Sequence, residues 1–228
     1  SIGTNSVSQA CLEHFTPLLN RFDFISVREE SAKEILQQYV DKPIKVALDP
    51  TLLLTRDEWD KIAVQPAVPQ PYIFVYLLGE KREHRRLIKK YAKTLGLKIV
   101  FLPHVHFRFN PADCFFACYN LYDVGPREFV GLIKNAEMVI TDSFHGCVFS
   151  IIYQKKFWAL KRHKDSEKEN MNSRLYTLFD SLGLQDRLIE DESTEYDAKS
   201  LNRQIDYAHV EAKLNTLRKD SADFLLNA

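Results

Sequence analysis

Short apolar runs alternate along the chain with stretches whose apolar positions recur at helical spacing. Asp23 to Val27 (DFISV) predicts a short strand. Ser26 to Tyr39 follows as an amphipathic helix, with Ala32, Ile35, Leu36 and Tyr39 on one face. Lys45 to Leu48 is the next predicted strand. It is closed by Asp49-Pro50, because proline pushes the residue before it out of the helical region. Thr55, with Glu58 three residues on, has the pattern of a capping box for a short helix through Ile62. Three prolines then fall between Val64 and Pro71, a stiff connector at which a domain boundary is expected. The pattern restarts with a strand over Tyr72 to Leu78, ended by Gly79. A basic-faced helix over Arg82 to Leu95 follows, with Gly96 at its C-cap position. Further strands are expected at Lys98 to Leu102, Ala136 to Thr141 and Phe157 to Leu160. Further helices are expected from Gly125-Pro126 through Asn135 and over Ser143 to Tyr153, with one or two more between Ser200 and Leu226.

Strands and helices in regular alternation argue an α/β chain with a parallel sheet covered on both faces. The expected division is residues 1–66 as an N-terminal α/β remnant with its linker, 67–199 as a Rossmann-like unit, and 200–228 as C-terminal helices.

Composition narrows the class of function. Of 228 residues, 45% are hydrophobic and 27% charged, the balance of an ordinary folded chain. Lys plus Arg and Asp plus Glu are both 31, so no global positive field exists to hold DNA or RNA, and no nucleic-acid partner is expected. The longest apolar runs, Ile73 to Leu78 and Val46 to Leu54, fall far short of the roughly 20 residues of a membrane span. Cysteines at 11, 114, 118 and 147 fit neither a disulfide framework nor a zinc ribbon, so a reducing, cytoplasmic setting is expected. The opening Ser1-Ile2-Gly3-Thr4-Asn5 lacks an initiator Met and any signal-peptide pattern. It reads like the end of a strand and its following loop, as in a chain trimmed at the N-terminus.

The densest polar cluster in an apolar setting is Thr141-Asp142-Ser143-Phe144-His145-Gly146, at a strand-to-helix junction. Ligands of open parallel sheets bind at the carboxyl ends of the strands, where a helix N-terminus presents N–H groups suited to phosphate or carboxylate. Ser143 adds a hydroxyl, and His145 is a residue type that moves protons near neutral pH. The alternative is a capping Asp142 or Ser143 with a packed histidine. Arg28, also at a strand-to-helix junction, offers a planar fork for an anion, or pairs in its first turn with Glu29 or Glu30. Arg174 follows the charged loop from Lys161 to Asn170. Helix capping explains Asn172 and Ser173 beside it but not the arginine. His104 and His106, with Cys114 and Cys118 at helical spacing, make a weak metal pattern, better explained by core packing. The aromatics Phe107, Phe109, Phe115, Phe116, Tyr119 and Tyr122 read as a packed loop, or as the lining of an acceptor site. Lys81 to Lys93 reads as a solvated helix face. No Walker A, Gly-x-Gly-x-x-Gly, His-Glu-x-x-His or Gly-x-Ser-x-Gly motif is present.

The run Gly125-Pro126-Arg127-Glu128-Phe129, then Ala136 to Thr141, then Asp142-Ser143-Phe144-His145-Gly146 resembles the C-terminal signature of the polysaccharide pyruvyl transferase family. Ile25-Ser26-Val27-Arg28-Glu29 and Leu48-Asp49-Pro50-Thr51-Leu52-Leu53 resemble its central motifs, in the same order. Asn172-Ser173-Arg174 and Leu182-Gly183-Leu184-Gln185-Asp186-Arg187 fit a common subgroup. The resemblance spans about residues 1 to 190. It implies a GT-B-like fold with the donor in an interdomain cleft. The implied activity is transfer of a pyruvyl group from phosphoenolpyruvate to a saccharide acceptor, as a ketal bridging two hydroxyls. It implies no cofactor and no metal, with phosphoenolpyruvate as the donor substrate. It places His145 on the family's donor-site histidine and Arg28 on its arginine from the N-terminal half. Asp142, Ser143 and Gly146 complete the donor motif. A further cation after the histidine is implied, for which Lys161, Arg162, Lys164 and Arg174 compete and Arg174 is favoured. Two cationic forks and a helix N-terminus suit a donor carrying both carboxylate and phosphate. A nucleotide-sugar glycosyltransferase would share the fold, but no ribose-binding acid or base platform is evident. A non-catalytic sugar-binding subunit is the third reading.

Overall fold

The computed structural model describes residues 8–104, 110–163, 172–191, 193 and 196–227. The opening Ser1 to Asn5, the ring residues His106, Phe107 and Phe109, and Lys164 therefore lie outside the described residues. The chain divides into two compact units. The first comprises Ser1–Leu53, His163–Gln185 and Tyr207–Ala228, and the second Leu54–Arg162 and Asp186–Asp206.

The first unit opens with helix α1 (Gln9–Leu19), strand β1 (Ile25–Val27), helix α2 (Glu30–Gln37), strand β2 (Ile44–Val46) and the short helix α3 (Pro50–Leu53). Strands β1 and β2 pair in parallel, Ile25 opposite Ile44 and Val27 opposite Val46. Leu12, Ala32 and Leu36 cover them, with Ile25, Val27 and Ile44 in the same apolar cluster. The α1 helix has no counterpart among the sequence expectations. Its signal is the N-cap at Ser8, whose side chain accepts from Cys11 N–H, and Pro17 in the last turns weakens the periodicity.

The second unit begins with α4 (Arg56–Asp60), closed at its start by the expected capping box of Thr55 and Glu58. A six-stranded parallel sheet follows, with β3 (Tyr72–Leu77), helix α5 (Arg82–Leu95), β4 (Lys98–Pro103) and β5 (Tyr119–Asn120). Next come helix α6 (Pro126–Asn135), β6 (Met138–Thr141), helix α7 (Phe144–Ile152) and β7 (Lys156–Leu160). Gly96 ends α5 in the left-handed conformation, φ 66°, as its position predicted. On one face of the sheet Leu87, Ile88 and Tyr91 of α5 pack on Ile73, Val75 and Leu77. On the other, Phe129 of α6 meets Phe74 edge-to-face at 5.9 Å and Phe149 of α7 at the same distance. Helix α5 is not simply a solvated basic face. Arg85 is buried, with Nε donating to Asp113 at 2.8 Å and Nη1 to the Gly79 carbonyl at 2.7 Å.

The chain then returns to the first unit with helix α8 (Ser173–Leu182), and to the second with strand β8 (Leu188–Ile189) and helix α9 (Ala198–Leu201). It ends in the first with helix α10 (Tyr207–Asn227). This division differs from the expected boundaries at 66/67 and 199/200, for a local reason. Residues after Leu53 are tied into the second unit. Trp59 sits edge-to-face on Phe149 at 4.9 Å, and Val64 N–H donates to the Arg127 carbonyl at 3.1 Å. Helix α10 is tied to the first unit. Ser221 Oγ accepts from Leu48 N–H at 3.0 Å, and Arg218 Nε donates to the Leu52 carbonyl at 2.7 Å. Among the described residues no helix is long and apolar enough to cross a membrane.

Gly131 of α6 carries the closest backbone approach in the second unit. A Cβ there would lie 1.7 Å from the Val64 carbonyl oxygen. In an open helix, Gly to Ala gains about 0.5–1 kcal/mol. Here Gly131→Ala is expected to destabilise instead, by roughly 1–3 kcal/mol, as overpacking does. The sign of the shift in the urea midpoint decides it.

Candidate functional site

Strand order in the larger sheet is β5-β4-β3-β6-β7-β8, all parallel. The chain winds outward from β3 to β4 and β5. It then crosses back to the other side of β3 and winds outward again. The reversal falls between β3 and β6, the place where an open parallel sheet leaves a crevice at its carboxyl edge. Three segments leave that edge side by side: Leu78-Gly79 after β3, Asp142-Ser143 after β6, and Lys161-Arg162 after β7.

Local hydrogen bonds explain why the Asp142 to Gly146 stretch folds as it does. The buried Asp142 carboxylate accepts from Leu78 N–H at 2.6 Å and Gly79 N–H at 2.8 Å. Thr141 Oγ1 donates to the Tyr76 carbonyl at 2.6 Å and accepts from Ser143 N–H at 3.1 Å. Ser143 is the N-cap of α7, its Oγ accepting from Gly146 N–H at 3.4 Å. Gly146 lies against Thr141, whose Oγ1 would be 2.5 Å from an added Cβ. Asp142, Ser143 and Gly146 are thus buried and held in the architecture. His145, in the first turn of α7, is exposed, with the Phe144 ring edge-on at 5.4 Å. The packed-histidine alternative fails for His145, whereas the capping alternative holds for Ser143.

Two further groups share this edge. An added Cβ at Gly79 would meet Asp142 Oδ2 at 2.9 Å and Arg162 Cγ at 3.1 Å, so Arg162 flanks the aspartate. Burial pushes the Tyr76 phenol up, and the Asp142 charge adds to this while the Arg162 charge opposes it. Sequence periodicity treats Tyr76 only as a strand residue. Burial and the Asp142 charge also push the Cys147 thiol up, which makes it an inert core residue.

Arg28 and Arg174 both lie in the first unit. Arg28 follows β1 and is ion-paired with Asp49, which follows β2; both stand at the carboxyl edge of that strand pair. Its counter-ion is therefore not Glu29 or Glu30, the neighbours considered from sequence. Asp49 also accepts from Thr51 N–H at 3.0 Å. Burial works to raise the Asp49 carboxyl, but the Thr51 and Arg28 hydrogen bonds and the Arg28 charge outweigh it and hold it below 3.8. Glu29 is almost fully buried; Ser173 Oγ donates to it at 3.2 Å, and Arg174 stands as its ion-pair partner with Nε 3.8 Å away, beyond hydrogen-bond distance. Arg28, Glu29, Asp49 and Arg174 thus form two ion pairs within one unit. Only long-range pairing finds these partners, which sequence spacing does not encode.

Cys114 and Cys118, the helically spaced part of the His104, His106, Cys114, Cys118 pattern, do not share a helix. Phe115 between the cysteines has φ 54°, both thiols are exposed, and His106 is outside the described residues. Among the described residues no group of three or more His, Cys, Asp or Glu converges. In the aromatic run Phe116 is core, whereas Phe115 and Tyr122 face solvent.

Comparison with known proteins places the chain as follows. Residues 1–164 match the family model described as polysaccharide pyruvyl transferase. Among curated proteins no significant match was found. Solved structures similar to the chain include the UDP-GlcNAc 2-epimerase of Methanocaldococcus jannaschii, with 15% identity over 86% of this chain and 61% of that one, TM-score 0.44. The wall teichoic acid polymerase TagF matches with 12% identity over 96% and 62%, TM-score 0.41. The glycosyltransferase SnogD of Streptomyces nogalater matches with 11% identity over 71% and 43%, TM-score 0.40. The chain therefore spans less than two thirds of the length of each of these proteins.

Two outcomes follow from this geometry. Asp142→Ala removes a charged acceptor from two backbone donors, at about 1.5–3 kcal/mol per bond at most. A loss of roughly 3 kcal/mol in chemical denaturation is expected, and a loss below 1 kcal/mol would contradict the clamp. For Asp49, a carboxyl lowered in the folded state contributes stability at pH above 3.8 and loses it as pH falls below that value. The stability difference between wild type and Asp49→Asn should accordingly shrink below pH 3.8, as read from unfolding curves at a series of pH values.

Proposed function

We propose a reaction from the premise that the chain belongs to the polysaccharide pyruvyl transferase family: it moves the pyruvyl group of phosphoenolpyruvate onto a pair of sugar hydroxyls as a ketal, in surface or exopolysaccharide synthesis. The observation that carries this reading is His145. It is the exposed residue of an otherwise tightly engaged stretch, in the first turn of a helix at the switch point of a parallel sheet. Asp142, Ser143 and Gly146 are buried in the turn, whereas the imidazole of His145 is open to solvent and so to a substrate. Four free cysteines accord with a reducing, cytoplasmic setting.

The chemistry balances without a further co-reactant. A sugar hydroxyl adds through oxygen to the carbon of phosphoenolpyruvate that bears the phosphate. Its proton leaves, and the methylene carbon takes up a proton to become a methyl group. The neighbouring hydroxyl then displaces inorganic phosphate from the same carbon and closes the ketal, its proton departing with phosphate. His145 is proposed to take the hydroxyl proton and to serve the methylene carbon. Ser143, Asp142 and Gly146 fix the turn that presents it. Arg28 and Arg174 are proposed to hold the carboxylate and phosphate of the donor. Each already meets a carboxylate, but a guanidinium has five N–H donors, enough to face a second anion. Arg162, beside Asp142, is proposed as a further anchor for phosphate on the second unit.

The test is a set of single substitutions assayed by phosphate release and by calorimetry with phosphoenolpyruvate. His145→Gln should lower turnover by about 10²- to 10⁴-fold with donor binding largely kept. Arg28→Ala, Arg162→Ala and Arg174→Ala should weaken donor binding by roughly 1.5–3 kcal/mol each. Wild-type turnover by His145→Gln would remove the histidine from the mechanism. Tight binding of a nucleotide sugar with none of phosphoenolpyruvate would make the chain a glycosyltransferase instead.

A further inference from the structure

A pocket of about 290 Å³ lies in the second unit between helix α5 and the turn at Pro111 to Cys114. Its walls carry Arg82, Arg85, Arg86 and Lys89. These four share one face of α5, spaced three and four residues apart. The opposite face, Leu87, Ile88 and Tyr91, is locked into the sheet core, so the basic face cannot turn away. Charged helix faces left to solvent usually interleave opposite signs four residues apart. Here Arg82 and Arg86, Arg85 and Lys89, Arg86 and Lys90, and Lys89 and Lys93 all repeat the same sign. Such pairs destabilise a helix in isolation.

Arg85 is the buried cation of the pocket lining. It is 5% exposed, with Nε on Asp113 and Nη1 on the Gly79 and Lys81 carbonyls. Arg82, Arg86 and Lys89 are exposed and make no ion pair among the described residues. Four cations against the one carboxylate of Asp113 leave an excess of three positive charges in a concave space. Arginine forks match phosphate oxygens two at a time. The volume is at the small end for ligand pockets, enough for a charged headgroup but not for a whole oligosaccharide.

We propose that this pocket binds a diphosphate ester carried by the saccharide acceptor. Assigning the diphosphate to an acceptor rests on the pyruvyl-transfer reading above; the anion site itself rests on the pocket alone. Gly79 is bonded both to the switch-point aspartate and to Arg85, which lines the pocket. Its N–H is held by Asp142 on one side and its carbonyl by Arg85 on the other. A diphosphate gripped by α5 would therefore anchor an acceptor at the same edge of the sheet as His145.

The test is calorimetry on the intact chain with inorganic diphosphate as probe. Arg86→Ala and Lys89→Ala should each weaken binding at least about tenfold, the loss of one charged hydrogen-bond partner. The double reversal Arg86→Glu/Lys89→Glu should abolish it. Phosphoenolpyruvate affinity should stay within about twofold in all three, and melting curves should show the fold retained, since both side chains are exposed. Unchanged diphosphate binding in the double reversal, or none in the wild type, overturns the site. An equal loss of phosphoenolpyruvate binding overturns the acceptor assignment, because the pocket would then serve the donor. A short-alkyl sugar diphosphate and a nucleoside diphosphate, titrated separately, distinguish the source. Tighter binding of the first is expected, and preference for the second overturns the acceptor assignment. Absence of phosphate release in every variant and in wild type would sink the pyruvyl-transfer reading while leaving the diphosphate titration to decide the pocket.

Discussion

The carboxylate of Asp142 is the constraint on which the rest of the second unit's carboxyl edge depends. A buried charge is tolerated only when hydrogen bonds satisfy it, and here the donors are the consecutive backbone N–H groups of Leu78 and Gly79. One side chain thereby joins the exits of the two strands that flank the topological reversal. Gly79 must be glycine for this closeness, because a Cβ would press on both Asp142 and Arg162. Thr141 repeats the same logic one residue earlier, tying the Tyr76 carbonyl to the Ser143 N–H. The start of α7, in whose first turn His145 stands, is thus fixed from two sides.

How much of this could be read from the sequence follows the range of the interactions. Strands β3, β4, β6 and β7 are continuous apolar runs flanked by glycine, proline or a cap, so period and punctuation identify them. Strands β5 and β8 have only two residues each. Nothing in two residues distinguishes a strand from a loop; the pairing with a neighbour makes them strands. Helices α8 and α10 were legible as helices, but the unit each joins was not. That is decided by contacts such as Ser221 with Leu48, 173 residues apart. The proline-rich connector looked like a boundary because stiffness and domain boundaries often coincide. In the fold it is part of the second unit, its Val64 backbone seated against Gly131.

The site shows the same division. Spacing alone singled out the strand-to-helix junction at Asp142 to Gly146, since an N-cap pattern after an apolar run is a local signal. It could not tell which residues of that run serve the turn. The structure sorts them by burial, with His145 left facing outward. From sequence the acids considered for Arg28 are its neighbours Glu29 and Glu30, but its partner stands 21 residues away. Glu29, adjacent to Arg28 in sequence, instead faces Arg174 and Ser173. Adjacent residues of an extended segment point to opposite sides, so neighbouring charges need not pair.

Two kinds of arginine therefore occur in one chain, and their electrostatics differ. Arg28 and Arg174 have their charge offset by a buried carboxylate, which holds the fork in place and reduces its attraction for any other anion. Such a residue contributes geometry more than field. Arg82, Arg86 and Lys89 have no such offset among the described residues, so their charges add, and their attraction for an anion reaches out to about the Debye length of 8–10 Å. A residue of this second kind contributes field more than geometry, until a ligand supplies the counter-charge. Arg85 combines the two. Asp113 and the Gly79 carbonyl fix its plane, while its place in the pocket lining sets its charge beside the others. That combination separates a binding pocket from a merely basic surface. One cation is held rigidly enough to set the orientation of an anion, with exposed cations around it whose charges are not offset within the described residues.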